Sequence, residues 1–331
     1  MLIYNDMFAN HPYGVKIAQA LNLAEFPDSP PDLYDPIRYI LSLSGKRIRP
    51  VLVLMGAKLF GESDLDRVLP ASVAIEYFHN FSLIHDDIMD RAPLRRGKET
   101  VHQKWNDNVA ILSGDALLVR AYQELGKCPN QHVPDLLTVF GRVALEVCEG
   151  QQLDMDFEQR ASVSEADYIE MIRLKTSVLL GGALQMGAIM AGAPSAQQEL
   201  LYQFGEAIGI AFQLQDDFLD VYGDPADFGK QSGGDILSNK KTILAIRTQS
   251  LVRGDDRKEF DVLLSSDQMA PLEKIDRMKA LYLKLAVDQY AEQLKVHYME
   301  LAYSKLEQIE VDECRKDELR NLAHVLLDRT H

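Results

Sequence analysis

Asp86-Asp87-Ile88-Met89-Asp90 returns later in the chain as Asp216-Asp217-Phe218-Leu219-Asp220, each time at the end of a long apolar run. The runs, Ala71 to His85 and Phe204 to Gln215, are apolar almost all round, and a helix of that kind is buried. Buried carboxylates need counter-charge, so the pattern demands two core helices that deliver acidic ends to waiting cations. Residues four apart share a helix face, which sets Asp86 with Asp90 and Asp216 with Asp220. Facing each other, two such pairs would form an oxygen-rich site for several Mg²⁺ ions, and Mg²⁺ completes its shell with water and substrate phosphate. A diphosphate is the implied ligand. With 50 acidic residues in 331, one cluster alone would be unremarkable. It could serve as a solvated face or complement a helix dipole; the apolar approach to each cluster favours the metal reading.

A formal charge of −15 excludes electrostatic binding of nucleic acid. Three cysteines without CxxC spacing, and no N-terminal apolar leader, point to a reducing cytoplasm. The longest apolar stretch, Ser177 to Ala193, is broken by four glycines and is too short for a span, so a packed helix is expected and no integral membrane segment. Helical periodicity dominates and strand alternation is nearly absent. Breaks are expected at Phe26–Pro36, Ala92–Lys98, Cys128–Pro134, Ala191–Ser195, Tyr222–Gly234 and near Pro271. Lys279 to Ile309 reads as one or two amphipathic helices. The expectation is one all-α domain over residues 1–331, a helical bundle around a deep central cavity.

The basic residues sharpen this. Ser44-Gly45-Lys46-Arg47-Ile48-Arg49-Pro50 places three cations immediately before an apolar helix (Val51 to Leu59), where they oppose the dipole and are better explained by a bound anion. Arg95 and Arg96 follow the first acidic cluster closely, and the planar guanidinium grips two phosphate oxygens at once. Lys175-Thr176 reads as a helix start, and Lys230, Lys240 and Lys241 flank the loop after the second cluster. His79 lies two turns before Asp86 on the same face. Gln213 is a polar residue inside an apolar helix and needs a partner if buried.

In this order, the chain resembles a trans-isoprenyl diphosphate synthase of the polyprenyl synthetase family. The matching blocks are GKRIRP at Gly45–Pro50, the run His79 to His85 into DDIMD, RRG at Arg95–Gly97, GQQLD at Gly150–Asp154, Lys175-Thr176, QLQDDFLD at Gln213–Asp220, and GKQSGGDI with NK from Gly229 to Lys240. The first turn reads Ser44-Gly45 where the family usually has Gly-Gly. The resemblance implies a homodimeric isoprenoid-synthase fold joining an allylic prenyl diphosphate and isopentenyl diphosphate head to tail. By motif position, Asp86, Asp90 and Asp216 would ligate three Mg²⁺ per active site, with Asp87, Asp217 and Asp220 acting less directly. Arg95, Lys175 and Lys230 would grip the allylic diphosphate, with Lys240 near it. Lys46, Arg49, His79 and Arg96 would bind isopentenyl diphosphate. Thr176, Gln213 and the Lys175 carbonyl would face the forming cation. Gln151, Gln152 and Asp154 would support these groups from behind.

Two other readings share these residues. Class I terpene cyclases ionise a diphosphate on the same fold but typically carry an Asn/Ser/Glu triad in place of the second cluster and lack the basic turn. An inactive regulatory subunit would be expected to have lost acidic ligands. Both acidic clusters and the basic turn are intact here, which favours chain elongation. Product length is read from Phe81 and Ser82, five and four residues before Asp86. An aromatic at the first and a small residue at the second resembles geranylgeranyl diphosphate synthases, with farnesyl diphosphate the second expectation.

Overall fold

The computed structural model describes residues 11–223, 233–265 and 269–327. Their contacts group the chain into two compact units. Among the described residues the only strands are the two-residue pair β1 (Leu94–Arg95) and β2 (Lys98–Glu99), so the chain is all-α as the periodicity indicates.

The first unit takes residues up to Ala144 together with Gly182–Tyr202 and Glu310–Arg315. It contains α1 (Pro12–Asn22), α2 (Pro31–Ser42), α3 (Ile48–Leu59), α4 (Leu65–Met89), the hairpin, α5 (Val101–Lys104) and α6 (Asp107–Leu125). Helix α4 is buried on nearly every side from Ala71 to Phe78, and α3 and α6 pack along it. Asn106 starts α6 by accepting the Val109 N–H at 2.9 Å. The expected break at Phe26–Pro36 is shorter than foreseen. Pro31 stands at the first helical position, where a missing N–H costs nothing, and Pro36 is absorbed inside α2. Glycine lets α3 meet the segment around Leu184. A Cβ on Gly56 would lie 2.4 Å from the Leu184 carbonyl oxygen, and one on Gly187 2.1 Å from that of Val53.

The second unit takes Leu145–Gly181, Gln203–Ile309 and the chain from Lys316. Helices α7 (Val133–Gln159), α9 (Val178–Met190), α10 (Ser195–Tyr222) and α16 (Glu313–Leu327) each have residues in both units, while α8 (Glu165–Ile172), α11 (Gly234–Leu237), α12 (Ile243–Leu251), α13 (Gly254–Ser265), α14 (Pro271–Lys284) and α15 (Val287–Glu307) lie in the second. Its core includes Phe157, Tyr168, Leu214, Ile243, Phe260 and Tyr282. Ser164 and Asp167 cap each other's backbone to start α8. The amphipathic stretch after Lys279 is indeed two helices, parted where Ala286 turns left-handed at φ 53°. Among the described residues no helix is long and apolar enough to cross a membrane.

Candidate active site

In the first unit, α4 ends in the acidic cluster, and its three aspartates are not equivalent. Asp87, 100° around the helix from Asp86, is only 1% exposed, whereas Asp86 is half-buried and Asp90 is exposed at the C-cap. Arg95 reaches back from the hairpin and donates Nε to both Asp87 oxygens at 2.8 Å, while its Nη2 donates to Asp86 Oδ2 at 3.1 Å. Burial pushes the Asp87 carboxyl up, and the Arg95 hydrogen bond and charge pull against that. Asp87 therefore anchors Arg95, and Arg95 in turn steadies Asp86.

The basic turn lies beside the same helix. Arg49 Nη1 is 3.2 Å from His79 Nε2. Burial, then the Arg49 charge and those of Arg96, Arg95 and Arg47, hold the His79 imidazole well below the usual histidine range. A neutral His79 accepts from Arg49 through Nε2, which leaves the proton on Nδ1. Burial lowers Arg49 to about 10, with Glu76 opposing the shift, so the guanidinium stays charged at neutral pH. Arg96 donates Nη1 to the Leu43 carbonyl at 3.2 Å. Its guanidinium packs against Gly45, where a Cβ would stand 2.4 Å from Nη1. This explains the Ser44-Gly45 departure. Gly45 is the glycine that the packing needs, and Ser44 is not among the residues with positive φ, so serine fits there. Lys46 is half-buried in the same turn. A cavity of about 670 Å³ opens beside it, lined by Tyr39, Leu43, Ser44, Arg96, Lys98 and Lys104 among others. In a chain of charge −15, this is a local reversal of sign suited to a polyanion.

The second unit repeats the logic of the first acidic cluster with different partners. Asp217, the middle aspartate, is 3% exposed, while Asp216 and Asp220 are half-buried. Tyr168 donates its hydroxyl to Asp217 Oδ2, and Gln213 donates Nε2 to Oδ1 at 3.2 Å. Burial raises the Asp217 carboxyl, against the Lys240 charge and these hydrogen bonds. With its amide nitrogen committed, Gln213 presents Oε1 to the Thr176 hydroxyl at 3.4 Å. Asp220 accepts the Asp235 N–H at 2.9 Å, and Lys240 stands 4.0 Å from Asp235.

Lys175 and Thr176 are not a helix start as their sequence suggests. They lie in a π-helical turn, Arg173–Ser177, running straight on from α8 into α9. Such turns add a residue to the helix and redirect its side chains, and are frequent at functional sites. Glycines admit the neighbouring helices: a Cβ on Gly150 of α7 would lie 2.2 Å from the Lys175 nitrogen, and one on Gly209 of α10 2.6 Å from the Ser177 Cα. Lys175 Nζ pairs with Asp154 at 2.5 Å, which gives the GQQLD block a physical role. Glu76, Asn80, Arg47 and Tyr168 were missed as site residues. Only a polar residue within an apolar run could have flagged the first two.

Phe81 is buried against Phe78, with ring centroids 5.6 Å apart, and meets His85 edge-on at 4.7 Å. Ser82 turns its hydroxyl to the His79 carbonyl at 2.8 Å. Lys230 lies outside the described residues. Among those residues, no group of three or more His, Cys, Asp or Glu side chains converges into a ready metal cage. The outer aspartates offer hard oxygens in pairs, a donor set that fits Mg²⁺ arriving with substrate phosphate rather than a cation held by protein alone.

Three comparisons bear on this geometry. A geranylgeranyl diphosphate synthase of Methanosarcina mazei is 45% identical over 219 residues, covering 66% of this chain and 67% of that protein. A geranylfarnesyl diphosphate synthase of Natronomonas pharaonis is 36% identical over 255 residues, covering 72% and 73%. The solved structure of a geranylgeranyl pyrophosphate synthase is similar with a TM-score of 0.90 at 41% identity, over 96% of this chain and 98% of that one. The polyprenyl synthetase family matches residues 30–282. On this match and on the two acidic clusters built alike, the chain is a prenyltransferase and belongs to the polyprenyl synthetase family.

Proposed function

We propose that this short-chain trans-prenyl diphosphate synthase condenses isopentenyl diphosphate with dimethylallyl, geranyl or farnesyl diphosphate to give geranylgeranyl diphosphate, farnesyl diphosphate being the second reading. The observation that carries it is the shared build of the two clusters, in which the middle aspartate is locked into the protein and the outer ones stay more accessible. Asp86, Asp90 and Asp216 would hold three Mg²⁺, with Asp220 assisting; Asp87 and Asp217 position their neighbours. When bound, Mg²⁺ supplies charge stabilisation to the leaving diphosphate.

Arg95, Lys175 and Lys240 add cations on the allylic side, where preorganised charge is worth most as the carbon–oxygen bond breaks, and Lys230 is assigned there by its motif alone. The Thr176 hydroxyl, the Gln213 amide oxygen and the Lys175 carbonyl present partial negative charge to the allylic cation. Lys46, Arg49, His79 and Arg96 hold isopentenyl diphosphate so that its π-bond meets that cation at close range. The proton then leaves to the released diphosphate, and no protein nucleophile is required. Phe81, fixed in its aromatic cluster, limits the growing tail, and Ser82 leaves room beside it.

The chain acts as a single functional domain and as a homodimer. Leu112 and Val119 are 60% and 57% exposed on α6 and offer apolar surface that a second copy would cover. Its three cysteines are free, in keeping with a reducing cytoplasm. The test is incubation with Mg²⁺, labelled isopentenyl diphosphate and an allylic primer. The reading requires an elongated acyclic diphosphate. A cyclic hydrocarbon would establish a cyclase, and no product an inactive subunit.

A further inference from the structure

The basic turn is held from beneath by an ion pair that the reaction itself does not use. Arg47 takes a left-handed backbone at φ 49°, a conformation that a non-glycine residue keeps only when its surroundings fix it. Its guanidinium donates to the Leu41 and Leu43 carbonyls at 2.5 and 3.1 Å and pairs with Glu76. Glu76 is 1% exposed on α4. One turn further on, Asn80 Nδ2 donates to the Glu76 carboxylate and to its backbone carbonyl, both at 2.8 Å. Three residues beyond Glu76 stands His79, the partner of Arg49. Leu43 also accepts from Arg96, whose guanidinium rests on Gly45. Arg47 and Glu76 thus tie the end of α2, the turn and α4 into one piece, on which Arg49 and Arg96 make their own contacts.

We infer that Arg47 and Glu76 are positioning residues for isopentenyl diphosphate. They fold the turn so that Lys46, Arg49 and Arg96 are placed before the substrate arrives, and Glu76 keeps the Arg47 charge committed to the protein. The inference rests on the reading of this turn as the isopentenyl diphosphate pocket.

Replacing a buried ion pair with apolar side chains of similar size often leaves a fold intact, whereas removing one partner strands the other's charge. The test is therefore Arg47→Met combined with Glu76→Met, with Arg47→Lys as the conservative variant. The measurements are thermal unfolding, the KM for each substrate, and the rate of trypsin cleavage after Lys46. The double variant should unfold near the wild-type temperature, with the KM for isopentenyl diphosphate raised about tenfold or more and that for the allylic diphosphate changed by less than about twofold. Trypsin should cut after Lys46 faster, and Arg47→Lys should recover part of the KM. An unchanged KM and cleavage rate in a folded variant, or an equal rise in both KM values, overturns the inference. If the double variant does not fold, Glu76→Gln takes its place and should show the same selective rise in KM, with the same results against it. Should the wild type fail to condense the substrates, the functional reading falls, while trypsin still reports whether the pair holds the turn.

Discussion

Gly150→Ala is the smallest change that should disable the enzyme. The added Cβ would lie 2.2 Å from the Lys175 nitrogen, 2.6 Å from its Cα and 2.7 Å from the Leu174 carbonyl carbon, all backbone atoms that no rotamer change can move. Restoring ordinary contact at 3.4 Å requires α7 and the π-turn to part by about 1.2 Å. The turn cannot retreat freely, because α10 meets its far end at Ser177 through Gly209. Overpacking of this kind costs about 1–3 kcal/mol, and a shift of ~1 Å in a substrate-positioning group costs on the order of a hundredfold in rate. Steady-state kinetics with the allylic diphosphate varied should show kcat/KM lowered by about that factor, together with a lower unfolding midpoint. Gly126→Ala is the control, since its Cβ would meet nothing closer than 3.4 Å. A Gly150→Ala enzyme with wild-type kcat/KM and midpoint would refute the claim that the close approach of α7 sets Lys175 in place.

Asp86→Ala and Asp90→Ala should each lower turnover by orders of magnitude with little loss of stability. Asp87→Ala should instead destabilise the fold by about 1–3 kcal/mol, by removing the hydrogen bonds to Arg95 Nε and leaving that guanidinium with Asp86 alone, which a denaturant titration would show. Truncating Lys46 or Arg96 should raise the KM for isopentenyl diphosphate more than that for the allylic substrate, and Lys175 the reverse; equal effects on both would break the assignment of pockets. Phe81→Ala should lengthen the product by at least one isoprene unit, read by chromatography of the dephosphorylated prenols, and an unchanged length would place the chain-length limit elsewhere. Burial raises the Cys128 thiol to about 11. Alkylation at mildly alkaline pH should therefore label exposed Cys314 well before Cys128, and equal labelling would contradict the packing of the first unit.

Much of this was legible in the chain because apolar periodicity and acidic clusters are local signals. The all-round apolar run before Asp86 announces a buried helix, and the angle between adjacent residues already separates Asp87 from Asp86 and Asp90. What holds Asp87 was not legible as such. Arg95 is visible as a cation near the cluster, yet its bidentate grip on Asp87 depends on a hairpin too short to register as strand alternation. The π-turn at Lys175 was invisible for a related reason, since a one-residue insertion in an apolar helix changes no periodicity that a short window can detect. Tyr168 and Glu76 act through contacts far along the chain, with Asp217 and Arg47 respectively, and neither carries a spacing signature. Gly150 and Gly45 sit within recognisable blocks, but only coordinates show that each makes room for a named neighbour.

Each acidic cluster divides its labour, the outer aspartates serving the metal and the middle one serving the protein. A crystal structure with Mn²⁺, isopentenyl diphosphate and an unreactive allylic thiodiphosphate, with the anomalous signal locating the metal, would show this division. Mn²⁺ should lie on the carboxylates of Asp86, Asp90 and Asp216, with Asp87 still held by Arg95 and Asp217 by Tyr168. Mn²⁺ coordinated directly by Asp87 or Asp217, or absent from Asp86 and Asp90 with the diphosphate bound, would contradict it.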